Sequence, residues 1–435
     1  MTPPRIAVIG AGWSGLAAAT RLVAAGAEVT VIEAADRPGG RARSVEVGGM
    51  LLDNGQHILL GAYRETLTAM ERVGADPQQL FQRMPLDLEL LAADGTLRLQ
   101  LPRGPAALAL FWGLLRARGL SHRERLQALT TAPALRKPPH SSQTAADWLA
   151  ATGQPARLIR KLWAPLCLAA LNTPVAHASA EVFARTLAIA FAARGSSDLL
   201  LPRCDLGAVF PAPALSWLQS RGCDVRLHTR VRGLEPTSGS WRLDLGRTGT
   251  IEAEHVIVAT EARAAARLLS SLPAAAARAL AERIDRIAVE PITTVWLEAP
   301  ARPEDARVMQ GRLDGPAQWV FDRRISGQPG VRAAVISAGG SHMEWPRATV
   351  ADHVAHQLAE AGRLPQPIGI IRERRATFAA TPATEALRPV CDGPLRGLWL
   401  GGDYVANGLP ATLEGAVRNG HRCAANILGP RREAA

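Results

Sequence analysis

Three glycines and one acid near the N-terminus have the spacing of a nucleotide site. Gly10, Gly12 and Gly15 stand at GxGxxG spacing, with Trp13 and Ser14 inside the motif, and Glu33 follows. Gly10 permits a tight turn, Gly12 lets the backbone approach a pyrophosphate, and Gly15 lets a helix pack closely on a strand. The helix that starts here offers free N–H groups and a partial positive charge to phosphate oxygens. Glu33 lies about twenty residues downstream, where a carboxylate accepts both ribose hydroxyls of an adenosine. A plain βαβ turn explains the glycines but not the acid. The set points to a dinucleotide.

A second group breaks an apolar context. Asp53, Asn54, Gln56 and His57 lie between Met50-Leu-Leu and Ile58-Leu-Leu. That placement fits a site loop; a hairpin turn at Asn54-Gly55 with solvated neighbours is the other reading. His57 titrates near neutral pH, and Asp53 is close enough in sequence to orient it. Either residue can serve as a catalytic acid or as a hydrogen-bonding member of a cofactor shell.

Glu33 is followed by Arg37-Pro-Gly-Gly40-Arg41. This Glu-x3-Arg-x-Gly-Gly-Arg pattern resembles the second signature of the flavin-containing amine oxidase and phytoene desaturase superfamily. The resemblance implies FAD, with Gly40 and Arg41 against its diphosphate. Two later blocks are similar to that superfamily in the same order. Asp224 to Thr260 resembles the second nucleotide-domain block, in which Val231 pairs its backbone with the adenine and the strand ending at Thr260 runs beneath the cofactor. Leu398-Trp-Leu-Gly-Gly402-Asp403, with the helix after Leu409, resembles the terminal block. There Gly402 and Asp403 hold diphosphate and ribityl oxygens, while Thr412 and Leu413 face the pyrimidine end of the flavin.

Asp53-Asn-Gly-Gln-His-Ile-Leu-Leu-Gly-Ala-Tyr63 and Trp163-Ala-Pro-Leu-Cys-Leu-Ala-Ala-Leu-Asn-Thr-Pro174 are narrower. With Thr412-Leu-Glu-Gly-Ala, they resemble the bacterial hydroxysqualene dehydroxylases, FAD-dependent enzymes of hopanoid biosynthesis. The resemblance implies reduction of an allylic hydroxysqualene to squalene and water, with hydride from flavin N5 to an allylic cation. The chemistry asks the protein for positioning, an apolar slot and one acid. A C30 isoprenoid and an external reductant are the implied partners.

The elements that must position these residues follow from pattern. Residues 6–9, 28–32 and 256–259 are short apolar runs, as buried parallel strands require. Residues 16–25, 63–73 and 179–193 read as helices, 86–101 as a hairpin around Asp94-Gly95, and 224–234 as one strand. Further strands are expected at 287–298, 318–321 and 333–337, and a helix at 350–361. The expected fold is α/β, an FAD-binding Rossmann-like (GR2-type) domain with an interleaved α+β substrate domain. The FAD-binding part comprises 1–75, 205–270 and 376–432, and the substrate part 76–204 and 271–375. Within the latter, helix 105–120 bears Phe111 and Trp112 and is flanked by Arg116, Arg118, Arg123 and Arg125. It suits either a membrane interface or a buried place in the substrate domain.

Composition excludes several classes. The 435 residues carry 50 Lys and Arg against 39 Asp and Glu, a net charge of +11. The basic residues are almost all Arg, spread along the chain and not interleaved with aromatics, so nucleic acid is not an expected partner. A positive surface favours an anionic membrane face. No run reaches the ~20 apolar residues of a spanning helix. The five cysteines, Cys167, Cys204, Cys223, Cys391 and Cys423, form no CxxC pair, and the ten histidines show no ligand spacing. A cytoplasmic protein is expected, either free or peripheral on the inner face of the cytoplasmic membrane, with no metal.

Three other readings share the fold. A carotenoid or phytoene-type desaturase reverses the electron flow. An amine oxidase needs a Lys near flavin N5, yet the only Lys residues are Lys137 and Lys161, and strand 291–296 has none. A prenyl-lipid carrier like the GDP-dissociation inhibitors uses no flavin.

Overall fold

The computed structural model describes residues 3–300, 306–360 and 362–429. Residues 1–2, 301–305, 361 and 430–432 of the expected segments lie outside the described residues.

Strands Arg5–Ile9, Glu28–Ile32, Asp224–Arg226, His255–Val258 and Leu398–Leu400 form one sheet. Its spatial order is third, second, first, fourth, fifth in chain sequence. Every pairing is parallel. Ile6, Ala7, Val8 and Ile9 are all buried, as are Val256, Ile257 and Val258. Continuous apolar runs are what a parallel sheet covered on both faces demands. Helix Trp13–Ala24 is part of the cover, and helices Pro211–Ser220 and Leu413–Leu428 pack against it. The crossing with the terminal helix is close: a Cβ on Gly420 would lie 2.1 Å from the Ser14 carbonyl oxygen.

The anticipated α/β class with a parallel nucleotide-type sheet is the one observed. The single strand expected over 224–234 is not. It stops at Arg226, and a second strand, Gly233–Pro236, belongs to a separate three-stranded antiparallel sheet. The break is tertiary in origin. His228 takes φ +50° and donates its N–H to Ala35 O, while Thr229 donates to Glu33 O. These bonds fasten the connecting loop to the end of the second strand.

A seven-stranded sheet forms the other half. In spatial order it runs Gln366–Phe378, Val289–Glu298, Val331–Ser337, Trp319–Asp322, Met309–Arg312, Asp87–Leu91 and Leu97–Gln100. Only the pairing of Met309–Arg312 with Asp87–Leu91 is parallel among these. The long strands alternate faces, as period two requires. Val295 and Leu297 pack with Val350 and Val354 of helix Arg347–Gln357. Trp296, Trp319 and Phe321 join the main core.

Helices Ala145–Ala151, Ala164–Leu171 and Ala180–Ala190 complete this half. Ala164–Leu171 is capped by Asn172 in a left-handed conformation at φ +49°. The Asn172 side chain donates to Pro291 O (3.1 Å) and Thr377 Oγ1 (3.0 Å) and accepts from Ala338 N (2.7 Å). Thr173 Oγ1 accepts from Ala380 N at 2.9 Å. Asn172 and Thr173 therefore tie the helices to three strand-bearing segments of the large sheet.

Helix Ala106–Leu115 lies with Ala109, Gly113 and Leu114 inward. Its other face is bare: Leu108 is 55%, Phe111 40% and Trp112 44% exposed. Leu126, 61% exposed, lies on the neighbouring helix His122–Leu129. Arg116 stacks over the Trp112 ring at 5.2 Å. Among the described residues no helix is long and apolar enough to cross a membrane.

Candidate functional site: a nucleotide cradle and its neighbouring loop

The expected cofactor residues gather at the C-terminal ends of the five parallel strands, where open α/β sheets bind ligands. Gly39 donates its N–H to Ala11 O (2.8 Å), and Gly12 and Gly39 form an isolated bridge. Gly401 donates to Val258 O at 3.0 Å, which brings Gly402 and Asp403 beside Thr260. Thr260 Oγ1 donates to Glu261 O. Val231 is buried two residues past Thr229 and its bond to Glu33 O, so it lies near the tip of the second strand. Thr412 caps the terminal helix, its Oγ1 accepting from Gly415 N at 3.0 Å, and Leu413 is the first helical residue.

One ion pair and one carboxylate carry the charge. Arg41 Nη2 lies 2.6 Å from Asp403 Oδ1, and Arg41 Nη1 donates to Ala376 O. Burial acts to lower the Arg41 pKa, but Asp403 outweighs it and the pKa is raised. Glu33 accepts from Ala11 N (2.7 Å) and Ala35 N (2.8 Å). Two amides thus hold its carboxylate at the strand tip, with lone pairs left for a diol.

The glycines test whether this cradle fits a dinucleotide. A Cβ on Gly15 would sit 1.9 Å from Gly10 O, and one on Gly10 would sit 2.7 Å from Ala259 O. Those two glycines serve the packing of the chain itself. Gly12 is different. Its φ of −74° suits any L-residue, and a Cβ there would meet nothing within 4 Å. Neither backbone nor packing requires glycine at this position, and the open space beside it leaves room for close approach by a ligand. Ser14 Oγ and Tyr404 Oη are buried close by, without a partner among the described residues. The cradle fits a dinucleotide diphosphate.

The 53–57 loop adjoins it. Asn54 donates its N–H to Arg43 O and its Nδ2 to Arg41 O (3.0 Å). No hairpin closes at Asn54-Gly55: strand Met50–Asp53 pairs backward with Ser44–Val47, and Leu59–Leu60 pairs with Leu199–Pro202. His57 Nδ1 is 3.0 Å from Gly55 O. Burial lowers the His57 pKa; the Gly55 carbonyl and Asp53 oppose this, and Arg41 adds to it. A neutral ring that donates Nδ1–H to Gly55 O keeps Nε2 as its free atom.

Asp53 and His57 are not joined by a hydrogen bond. Asp53 is 1% exposed, and its Oδ1 accepts from Leu206 N at 2.8 Å. Oδ2 lies 3.0 Å from Arg323 Nη1, an ion pair whose N–H is aimed at Gln56 Oε1 (3.1 Å). Arg323 is 2% exposed, stacks over Trp296 at 5.5 Å and donates Nε to Gln328 Oε1. Burial raises the Asp53 pKa against the lowering by Arg323. Asp53 is therefore an anchor of the loop, and the expectation that it orients His57 finds no bond to support it. Arg323 carries no sequence signal, because its loop partners Asp53 and Gln56 lie more than 250 residues away in an Arg-rich chain. Glu414 was also missed. It is 2% exposed and accepts from Thr66 N (3.0 Å), Thr66 Oγ1 (2.8 Å) and Arg418 Nε (2.8 Å), fastening helix Arg64–Arg72 to the terminal helix.

Neither lysine is at the site. Lys161 is buried against Asp94 at 2.8 Å, and Lys137 is exposed.

Comparison with known proteins agrees with this geometry. The family model for flavin containing amine oxidoreductase matches residues 13–428. Hydroxysqualene dehydroxylase of Rhodopseudomonas palustris is 33% identical, covering 97% of this chain and 97% of the relative. Hydroxysqualene dehydroxylase of Sinorhizobium fredii is also 33% identical, over 97% of this chain and 98% of the relative. Among solved structures, an oxidoreductase from Methanosarcina mazei shares the fold with a TM-score of 0.76 at 17% identity, covering 96% of this chain and 99% of that one. A cradle open at Gly12, a family match that spans it and full-length relatives lead to one conclusion: the chain belongs to the flavin containing amine oxidoreductase family and, within it, to the family of the hydroxysqualene dehydroxylases.

Proposed function

We propose that this chain binds FAD non-covalently and reduces a hydroxysqualene to squalene and water. Segments 1–75, 205–270 and 376–432 are the proposed FAD-binding part, and 76–204 and 271–375 the substrate part. The observation that carries the substrate reading is a convergence. The two segments of narrower resemblance, 53–63 and 163–174, both approach strand Val289–Glu298, through Gly55 and Asn172. A Cβ on Gly55 would lie 3.7 Å from Thr294 Oγ1, and Asn172 donates to Pro291 O. That strand has no Lys, which makes amine oxidation the minor alternative.

Gly12, Trp13, Ser14, Gly40, Arg41, Gly402 and Asp403 are the proposed diphosphate and ribityl contacts, on a turn shaped by Gly10 and Gly15; Glu33 and Val231 are those proposed for the adenosine end, and the strand ending at Thr260 would run beneath the cofactor. Thr412 and Leu413 bring the positive end of the terminal helix to the flavin ring. Bound reduced flavin supplies the hydride, and an external reductant renews it. Hydroxide does not leave an allylic carbon unaided. His57 as imidazolium protonates the leaving oxygen, which departs as water, and Asp53 acts indirectly by anchoring the loop.

The substrate is a C30 alcohol, hydrocarbon but for its hydroxyl, and partitions into membranes. Leu108, Phe111, Trp112 and Leu126, with exposed Arg116, Arg118 and Arg123 around them, are the proposed contact with an anionic lipid face.

The test is anaerobic incubation of the protein with reduced FAD and hydroxysqualene, followed by lipid analysis. Stoichiometric squalene is the expected product. Unchanged hydroxysqualene, or new double bonds formed in a polyene with oxidised FAD, would refute the reading.

A further inference from the structure

The 402–409 loop joins the last parallel strand to the terminal helix and carries Asp403. Its carbonyls point inward, toward one side chain. Arg388, just past helix Pro382–Leu387, has a side chain that is 0% exposed. Nε donates to Tyr404 O (3.2 Å). Nη2 donates to Asp403 O (3.1 Å) and Val405 O (2.9 Å), and Nη1 to Leu409 O (2.9 Å). Glu385 takes the remaining direction of Nη1 through both oxygens at 2.9 Å. The guanidinium lies over the Phe378 ring at 4.3 Å. Asn419 of the terminal helix grips the same loop from its own side, Nδ2 donating to Gly402 O (2.7 Å) and Val405 O (2.8 Å).

A guanidinium has five N–H donors in a fixed planar fork. Here they meet four backbone carbonyls of one loop and one carboxylate. That arrangement is a template: it sets where Asp403 emerges, hence where Arg41 is held, and where the chain enters the helix at Thr412. A buried Lys has three donors on a flexible stem and cannot reproduce the fork.

We propose that Arg388 is a positioning residue for the flavin site. It touches neither cofactor nor substrate, and acts by shaping the 402–409 loop so that Asp403 and the N-terminus of the terminal helix meet the flavin. This rests on the reading that the chain binds FAD.

The test titrates apoprotein with FAD, following quenching of flavin fluorescence, and measures the reduction potential of the bound flavin. Wild type, Arg388→Lys, Arg388→Ala with and without added guanidinium, and Glu385→Gln are compared. Arg388→Lys should fold, by circular dichroism, yet bind FAD about tenfold or more weakly, as for a lost charge-assisted hydrogen bond. Its flavin potential should shift. Guanidinium should restore affinity to Arg388→Ala, and Glu385→Gln, which removes the carboxylate but none of the four loop carbonyls, should lower the melting temperature while losing less FAD affinity than Arg388→Lys. Arg388→Lys with a lowered melting temperature but wild-type affinity and potential overturns the proposal and leaves a structural role. Arg388→Ala that fails to fold leaves the decision to Arg388→Lys. Wild type that does not bind FAD removes the FAD reading instead.

Discussion

Replacing Gly12 with alanine separates what the cofactor needs from what the fold needs. The Gly12 backbone is already in a region open to alanine, and the new methyl would touch nothing within 4 Å. Apoprotein stability should therefore change by no more than about 1 kcal/mol, the scale of a helix N-cap substitution. The bound diphosphate is a different matter. Its oxygens approach backbone N–H groups at about 2.9 Å, so a methyl between them acts as an overpacking substitution of about 1–3 kcal/mol. That corresponds to a rise in FAD Kd of about 5- to 150-fold. Gly15→Ala is the counter-case, since its methyl would lie 1.9 Å from Gly10 O and 3.3 Å from the Ala259 Cβ. It should cost more than about 3 kcal/mol whether or not FAD is present. Thermal melting of the apoproteins and fluorescence titration with FAD read the two effects separately. A Gly12→Ala protein with wild-type affinity, or one destabilised as much as Gly15→Ala, would refute the reasoning.

His57→Ala should keep FAD and lose about 10²–10⁴-fold in turnover, the usual contribution of a positioned acid; full turnover would exclude His57. Since burial lowers the His57 pKa below 6.5, its acid form accumulates only as pH falls under that value. Turnover should rise with falling pH there, while His57's contribution to folding stability declines over the same range; a flat pH–rate profile speaks against imidazolium as the donor. Asp53→Asn leaves Arg323 charged and buried without its partner, so it should lower stability by about 3–5 kcal/mol, read as a drop in melting temperature. Phe111→Ser/Trp112→Ser should lose binding to anionic liposomes in flotation, and wild-type binding should weaken with salt; equal flotation of the variant would place the lipid contact elsewhere.

The parts of the site legible in sequence are those whose signal is local. The turn at Gly10 to Gly15 and the acid at Glu33 belong to one βαβ unit, so spacing alone carries their geometry. The terminal Gly402-Asp403 block was legible by resemblance to a pattern, in the same order along the chain. What stayed hidden has distant partners. Arg323 meets Asp53 and Gln56, and Glu414 meets Thr66, across most of the chain. Nothing in their neighbours distinguishes either from the exposed charges elsewhere. The apolar alternation of 224–234 continues through Val231 and so predicts one strand, whereas the bonds from His228 and Thr229 that interrupt it are non-local. The face of helix Ala106–Leu115 could not be assigned from sequence, since nearly every position is apolar and periodicity has no contrast to work with.

The meeting of the two ends of the chain sets a constraint on synthesis. Helix Leu413–Leu428 packs on helix Trp13–Ala24 at the Gly420–Ser14 crossing, and Asp403 pairs with Arg41 across 362 positions. In a chain emerging from the ribosome, the glycine turn precedes the opposite wall by hundreds of residues, as Arg41 precedes Asp403 by 362 positions. Contacts of such long range form late and slowly, because loop closure precedes any gain from them. The first βαβ unit must wait with an unpaired helix face, the kind of surface on which large chains misassemble. A ligand that fits only the completed cradle, as proposed for FAD, draws the last closure forward by mass action. Yield of folded protein should then depend on flavin supply during expression, before any turnover is asked of it.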